Sequence, residues 1–424
     1  MAITAACALI PLPGKAQPRR LTLDALQALV ATRSPRVLAA DARARAADAR
    51  VPGTARPPDP QVQLGFMNYT LPALRPDPGL GMAQLQVMQM VPLPGKLSAA
   101  SMAARARVVA AESRVGVAVW EARTAAAMAY YDRWYAWEAA RVAVEGRRLL
   151  QEAATAASAM YAVGEGQQSD VLRAQVEVAR MEEDIIRMTA MEEVAVSRLA
   201  SIADTSADAV AGAPVLPLFP DSVPSLDHLL LKALDARPML AAGAADVRVT
   251  VADGDVARRE RWPDLQVGMQ YGQRRAEMGI DRMGSLMFGA SLPIFARSRQ
   301  LPMRAEAAAM RRMAEAEVAG MRAETRAQVT EARLAIASTR RLKALYQGTV
   351  LPQALATADA TLNAYRNRGV DVMTVLESRM MLNRYRQELL ALEADEGRAW
   401  AELEMLLGQS LLPTHSSPPE SFHD

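Results

Sequence analysis

Hydrophobic and polar positions alternate along four short runs of this 424-residue chain. The first is Pro60-Gln61-Val62-Gln63-Leu64-Gly65-Phe66, and Gln84-Leu85-Gln86-Val87 follows it, ending at Val91-Pro92. The third is Pro263-Asp264-Leu265-Gln266-Val267-Gly268-Met269, and the fourth runs from Ser285 to Pro293. A period of two marks a strand whose two faces meet different surroundings. One face is apolar (Val62, Leu64, Phe66; Leu286, Phe288, Leu292) and the other small or polar (Gln61, Gln63; Ser285, Gly289, Ser291). The alternation predicts strands at about 61–69, 84–92, 264–272 and 284–293, paired by the turns at 72–81 and 276–284 into two β-hairpins.

Between and after the hairpins the period changes. Leu97 to Val163 runs 67 residues without a proline in a background of Ala, Arg, Glu and Met, which are good helix formers. One helix of that length reaches roughly 100 Å, too long for a globular core, so it must pack along its length as a coiled coil or a barrel wall. A second long helix is predicted over about 303–367. Pro352 is expected to bend it by removing a backbone hydrogen bond. Shorter helices return from Asp170 to about Ala203 and from Asp371 to Leu407. Their seams share a heptad: Val171, Val178, Ile185, Glu192 and Leu199 recur as Val375, Leu382, Leu389, Glu396 and Leu403. The glutamate in each seam is expected to mark drift of the heptad into solvent.

These elements form a duplication. Thr22, the N-cap of Leu23-Asp24-Ala25-Leu26, and Ser34-Pro35 return about 203 positions later as Ser225 and Arg237-Pro238, and the return helices match at 204. The organisation expected is an N-terminal stretch 1–21, a residual signal peptide or disordered terminus; a first repeat, 22–205; a proline-rich linker, 206–224; a second repeat, 225–408; and a disordered tail, 409–424. In each repeat the two short helices sum to nearly the length of the long one. One long helix can therefore pair with two stacked end to end.

Composition narrows the chemistry. A net charge of +2 gives no electrostatic reason to expect nucleic acid. Cys7 is the only cysteine, and His228, His415 and His423 are the only histidines. No nucleophile constellation, phosphate loop or ligand cluster appears, so neither an enzyme, a cofactor nor a His or Cys metal site is expected. No run of 18 apolar residues exists to span a bilayer as a helix. Four strands cannot close a barrel, and open sheet edges do not survive in lipid. If the hairpins enter a membrane, several chains must pool their strands; three would give about twelve. Tyr69, Trp262 and Tyr271 lie near strand ends, where interfacial aromatics belong. Met67, Met82, Met88, Met90, Met269, Met278, Met283 and Met287 cluster around the hairpins. Thioethers suit Cu(I), although Met is more often a filler of irregular packing.

The Leu-Thr-Leu-Asp-Ala-Leu opening with Ser34-Pro35, the strand end Leu292-Pro293-Ile294-Phe295, and Tyr365…Gly369…Val375-Leu376, each in its place in a duplicated chain, resemble the TolC-like outer membrane efflux proteins. Val91-Pro92-Leu93-Pro94-Gly95-Lys96 is similar to the strand-to-helix turn of that family's heavy-metal branch. The resemblance covers about residues 22–408. It implies a mainly α chain with a membrane β-barrel portion: a homotrimer with a twelve-stranded barrel in the outer membrane of a Gram-negative bacterium, continued by an α-helical barrel in the periplasm. It implies a passive exit duct of a tripartite efflux pump, with outer-membrane lipid, a periplasmic adaptor (membrane fusion protein) and an inner-membrane transporter of the RND or ABC type as partners. A heavy-metal efflux system and type I secretion are alternatives within the family. A periplasmic coiled-coil scaffold or an adaptor protein is the alternative of another class.

The resemblance also points to residues at the helix turns. A Val-Gly phrase there engages the adaptor in the family, and Val163-Gly164 matches it; the second copy, Arg368-Gly369, departs, with glycine one place later and arginine in place of valine. A left-handed helix cap accounts equally well for both glycines. The family narrows this tip with an aromatic and inward carboxylates. Tyr365 fits the aromatic and Glu377 one carboxylate; Thr374 stands where another is expected, with Asp371 nearby as a substitute. A ring of Glu377 would favour cations, and a solvated helix face is the plain alternative.

Overall fold

A computed structural model describes residues 20–276, 279–367 and 369–412. In chain order the elements are β1 (Arg20–Leu21), α1 (Leu23–Arg33), α2 (Pro35–Thr54), β2 (Gln61–Met67), β3 (Tyr69–Thr70), β4 (Arg75–Pro76), β5 (Met82–Pro92), α3 (Lys96–Ala162) and α4 (Gln168–Ala203). There follow β6 (Ala213–Pro214), α5 (Leu226–Ala236), α6 (Pro238–Arg259), β7 (Asp264–Ala276), β8 (Gly279–Ser291), α7 (Gln300–Leu345), α8 (Leu351–Arg366) and α9 (Val372–Leu407). α4 and α9 are both 36 residues long and begin 204 positions apart. α1 and α5 are both 11 residues long and begin 203 apart. No described helix is long and apolar enough to cross a membrane.

The chain divides into two compact units. The first takes the described residues up to Leu38, Ala118–Arg237, and those from Thr325 on. Alanine lets its helices approach closely: Ala122, Ala126, Ala129, Ala136, Ala139 and Ala143 of α3 are all buried. Around Ala122, Ala126 and Ala129 pack Leu26, Tyr130, Tyr131, Leu199, Leu229, Ile336, Trp400 and Leu403. Gly397 of α9 makes room for the Tyr131 ring, since a Cβ there would lie 2.3 Å from Tyr131 Cε1.

The second unit holds Ala39–Val117 and Pro238–Glu324. Its centrepiece is a four-stranded antiparallel sheet in the order β2-β5-β7-β8. The two hairpins join through β5 and β7, with Val87 opposite Met269. Lys96 at the start of α3 is tied to Asp264 at 2.8 Å, and Arg107 and Arg114 pair with Asp253 and Asp246 of α6.

Several expectations need correcting. The stretch 206–224 is not a bare linker. It carries a 3₁₀ turn (Ala207–Val210) and β6, which pairs in parallel with β1 inside the expected N-terminal tail, and its Leu216, Phe219 and Val223 pack on the first unit's core. The tail expected from 409 begins ordered: Leu411 and Leu412 donate their N–H groups to the Glu404 carboxylate at 2.6 and 3.0 Å, and Leu412 is buried. Residues 413–424 and 1–19 lie outside the described residues, as do Cys7 and Met278. The second long helix is not a regular α-helix over 303–367. A π-helical turn, Tyr346–Val350, separates α7 from α8. It widens the ladder just ahead of Pro352, so the missing N–H falls in the first turn of α8.

Candidate functional site

At one end of the first unit, α3 turns into α4 and α8 into α9. Gly164 has φ +76°, where a side chain would be strained, and the turn closes with Glu165 N–H donating to Met160 O at 2.9 Å. In the second turn Gly369 N–H donates to Ala364 O at 2.8 Å. Donor and acceptor each lie 204 positions beyond their first-turn counterparts, so Gly369 stands where the first turn has Glu165. Arg368 lies outside the described residues. Val163 projects from the first turn, 69% exposed.

Beside the two turns lies a cavity of about 420 Å³ lined by residues that include Met160, Glu165, Asp170, Tyr365 and Asp371. Burial, and after it the negative charge of Asp170, raises the Tyr365 hydroxyl above its ordinary pKa. Asp371 is held below its ordinary value by hydrogen bonds from the Thr374 hydroxyl and N–H, at 2.6 and 2.9 Å. Its carboxylate is therefore engaged as the N-cap of α9. Tyr365 and Asp371 thus share one cavity. Glu377 is exposed on α9 and lines a separate groove with Glu177, Glu183, Asp184, Arg180 and Arg384. Glu165 and Asp170 were not singled out in the sequence; their place just after the first glycine turn was the available signal, although neither is the repeat counterpart of Asp371, which matches Gln167, the N-cap of α4.

Further along the same unit lies a buried ionic belt. Arg133 of α3, wholly buried, donates to Val210 O at 2.6 Å and Ala211 O at 2.9 Å and pairs with Glu192 at 3.3 Å. Glu396 of α9, 1% exposed, is bracketed by Arg340 at 2.6 Å and by Lys343. Arg340 also reaches Asp221 O and Pro220 O. The expected drift of Glu192 and Glu396 into solvent is therefore wrong: each meets a cation that also clasps the connecting segment. Tyr130 adds a third clasp. Its hydroxyl accepts from Val215 N–H and has Leu21 O and Val215 O as acceptors, and burial raises it to about 12.

In the second unit, register sorts the sheet into two faces. Val62, Val87, Met269 and Leu286 form one row, with Leu64, Leu85 and Tyr271 beside them; the row between, on the opposite face, is Gln63, Gln86, Gln270 and Ser285. The apolar face is open: Val62 is 66% exposed, Leu286 70% and Phe288 78%. The outer edges of β2 and β8 have no strand partner among the described residues. No group of three or more His, Cys, Asp or Glu side chains able to hold a metal ion converges among the described residues.

A family model described as outer membrane efflux protein matches residues 26–203 and 229–409. No curated protein sequence matches the chain. Among solved structures, a membrane protein from Pseudomonas aeruginosa superposes with a TM-score of 0.78 at 16% identity, over 92% of this chain and 90% of that one. The outer membrane protein VceC from Vibrio cholerae gives 0.75 at 18%, over 92% and 96%. The open state of the Neisseria gonorrhoeae MtrE outer membrane channel gives 0.73 at 15%, over 92% and 89%. At these identities the likeness establishes the fold.

Proposed function

The chain belongs to the outer membrane efflux protein family, and from that premise we propose that it is the exit duct of a tripartite efflux pump, a homotrimer whose three sheets close a twelve-stranded barrel. One observation carries the reading: a four-stranded sheet with one exposed, predominantly apolar face and two edges unpaired among the described residues. Water cannot be the intended neighbour of that face, and lipid does not tolerate those edges unless they pair. Pairing the β2 edge of one copy with the β8 edge of the next satisfies both. Three copies put twelve strands in the range of outer-membrane barrels, with the glutamine face turned to the lumen. A soluble periplasmic scaffold or an adaptor would have no use for such a face.

In this reading the helices extend into the periplasm and the turns at Val163-Gly164 and 368–369 are offered to a periplasmic adaptor coupled to an inner-membrane transporter. The exposed Val163 and the left-handed Gly164 support the first turn as the stronger contact. Tyr365 and Asp371, with Asp170, line the cavity beside the turns, and Glu377 supplies an exposed carboxylate to the aperture. The test is purification in detergent, mass measurement of the complex, and single-channel recording in planar bilayers. A trimer that conducts is expected; a stable monomer without conductance overturns the reading. Glu377→Gln should lower cation preference, and unchanged selectivity would remove Glu377 from the aperture.

A further inference from the structure

The described strands of the sheet hold seven methionines, and their placement is opposite to what hydrophobicity dictates. A methionine that only fills apolar space belongs with Val62, Leu85 and Phe288. Met269 alone lies there. Register puts Met67, Met82, Met88, Met90, Met283 and Met287 on the other face, among Gln63, Gln86, Gln270 and Ser285.

They come in pairs. Met67 and Met82 are direct cross-strand partners. Met88 and Met287 flank Gly268, one from each neighbouring strand, in the row Gln61, Met88, Gly268, Met287. The glycine makes that approach possible: a Cβ on Gly268 would lie 3.3 Å from Met88 Cγ and 3.4 Å from Met287 Cε. Gly272 is used the same way, since a Cβ there would stand 2.8 Å from Met82 Sδ. Two strand positions thus give up their side chains where thioethers lean over them, at the entropic cost glycine carries in a strand.

We propose that the glutamine face carries a thioether track for soft monovalent cations of the Cu(I) and Ag(I) type, with Met88 and Met287 over Gly268 as its principal site. Neutral thioether sulfurs are poor ligands for hard or borderline ions and good ones for soft cations. Glutamine carbonyls alternating with them offer only weak oxygen donors, so an ion is held loosely and passed on, as conduction requires. The proposal rests on the reading of this face as the channel lumen, and its test separates the two.

Ag(I) is titrated calorimetrically, in chloride-free buffer, into the full-length protein in detergent and into two variants. Met88→Leu with Met287→Leu keeps volume and removes both sulfurs; it should lose about tenfold or more in affinity for one class of sites. Met269→Leu, on the apolar face, should titrate as the wild type, and so report the background from the remaining methionines. A double variant that binds Ag(I) as the wild type does, or an equal loss in Met269→Leu, overturns the proposal. If the double variant misfolds, Met287→Leu alone is expected to lose most of the same affinity, and an unchanged titration overturns the proposal equally. Conductance of the wild type in a planar bilayer reports on the lumen reading alone.

Discussion

The two units treat charge and apolar surface in opposite ways. The first buries arginine, lysine and glutamate between helices and leaves almost no cation of its belt unmatched. The second turns the side chains of its sheet outward, so that Phe288 is 78% exposed. In isolation the sheet would be an aggregation hazard. The contrast teaches that the first unit holds its charges within its own packing, whereas the sheet of the second keeps an exposed apolar face and two edges unpaired among the described residues, which under the proposed function lipid and further copies would cover. Stability measurements on the first unit should therefore respond to single side chains, whereas the sheet should respond to the solvent it is given.

The sharpest way to break this comparison is to empty the belt. Glu396→Ala takes from Arg340 and Lys343 the buried carboxylate they bracket, and removing one member of a buried pair costs about 3–5 kcal/mol. Glu152→Ala removes a partner from an exposed pair, Arg148–Glu152, and should cost only about 0.3–0.5 kcal/mol. Thermal unfolding followed by circular dichroism checks both. Similar melting shifts in the two variants would mean that the belt is no better insulated than the surface.

Next in size is a change whose sign depends on the surroundings. Phe288→Arg places a charge on the apolar face and should impair insertion into vesicles by about 2–4 kcal/mol if that face meets the bilayer core. Ser285→Arg, on the glutamine face, should insert normally. Folding yield into lipid vesicles, read by a heat-modifiable gel shift, distinguishes them. Equal yields would make the sheet an ordinary wet one.

Gly397→Ala comes third. Its Cβ would meet the Tyr131 ring at 2.3 Å, and because both sides are packed the expected overpacking cost is about 1–3 kcal/mol. Tyr131→Leu in the same chain should recover part of that loss, which a general helix-propensity effect would not allow.

What could be read in the sequence follows the same division. Strand alternation at 61–67 and the proline-free run from 97 are local patterns, and the structure forms a strand and a helix there. The buried belt is not local. Glu192 and Glu396 recur at matching core positions of the return helices, and a charge kept twice in a hydrophobic seam marks a partner. That partner sits on another helix at no fixed spacing, Arg133 in one repeat and Arg340 with Lys343 in the other. The 206–224 stretch misleads for a similar reason. Its prolines read as a free linker, but its carbonyls are held by arginines that are distant in sequence. At the turns, the sequence offered Asp371 as a substitute for the carboxylate absent at Thr374, and nothing at the level of residue types showed that Thr374 itself engages it.

That engagement sets the smallest and most specific effect. Asp371 caps α9 through the Thr374 N–H and hydroxyl, bonds that favour the ionised carboxylate and hold its pKa below the ordinary 3.8. A group depressed in the folded state contributes stability that is fully present above its unfolded value and fades as pH falls through the folded one. The contribution should therefore be constant at neutral pH and diminish only below about pH 4. Asp371→Ala removes it at every pH, at about 1 kcal/mol, the ordinary value of a helix N-cap. Asp371→Asn, which caps without a charge, should restore most of it and abolish the acid dependence. Hydrogen exchange in the first turn of α9, measured at pH 7 and at pH 3, is the readout, because the effect is confined to that turn and the belt should not register it. Faster exchange in the belt as well would show that the turns and the buried ionic network open together.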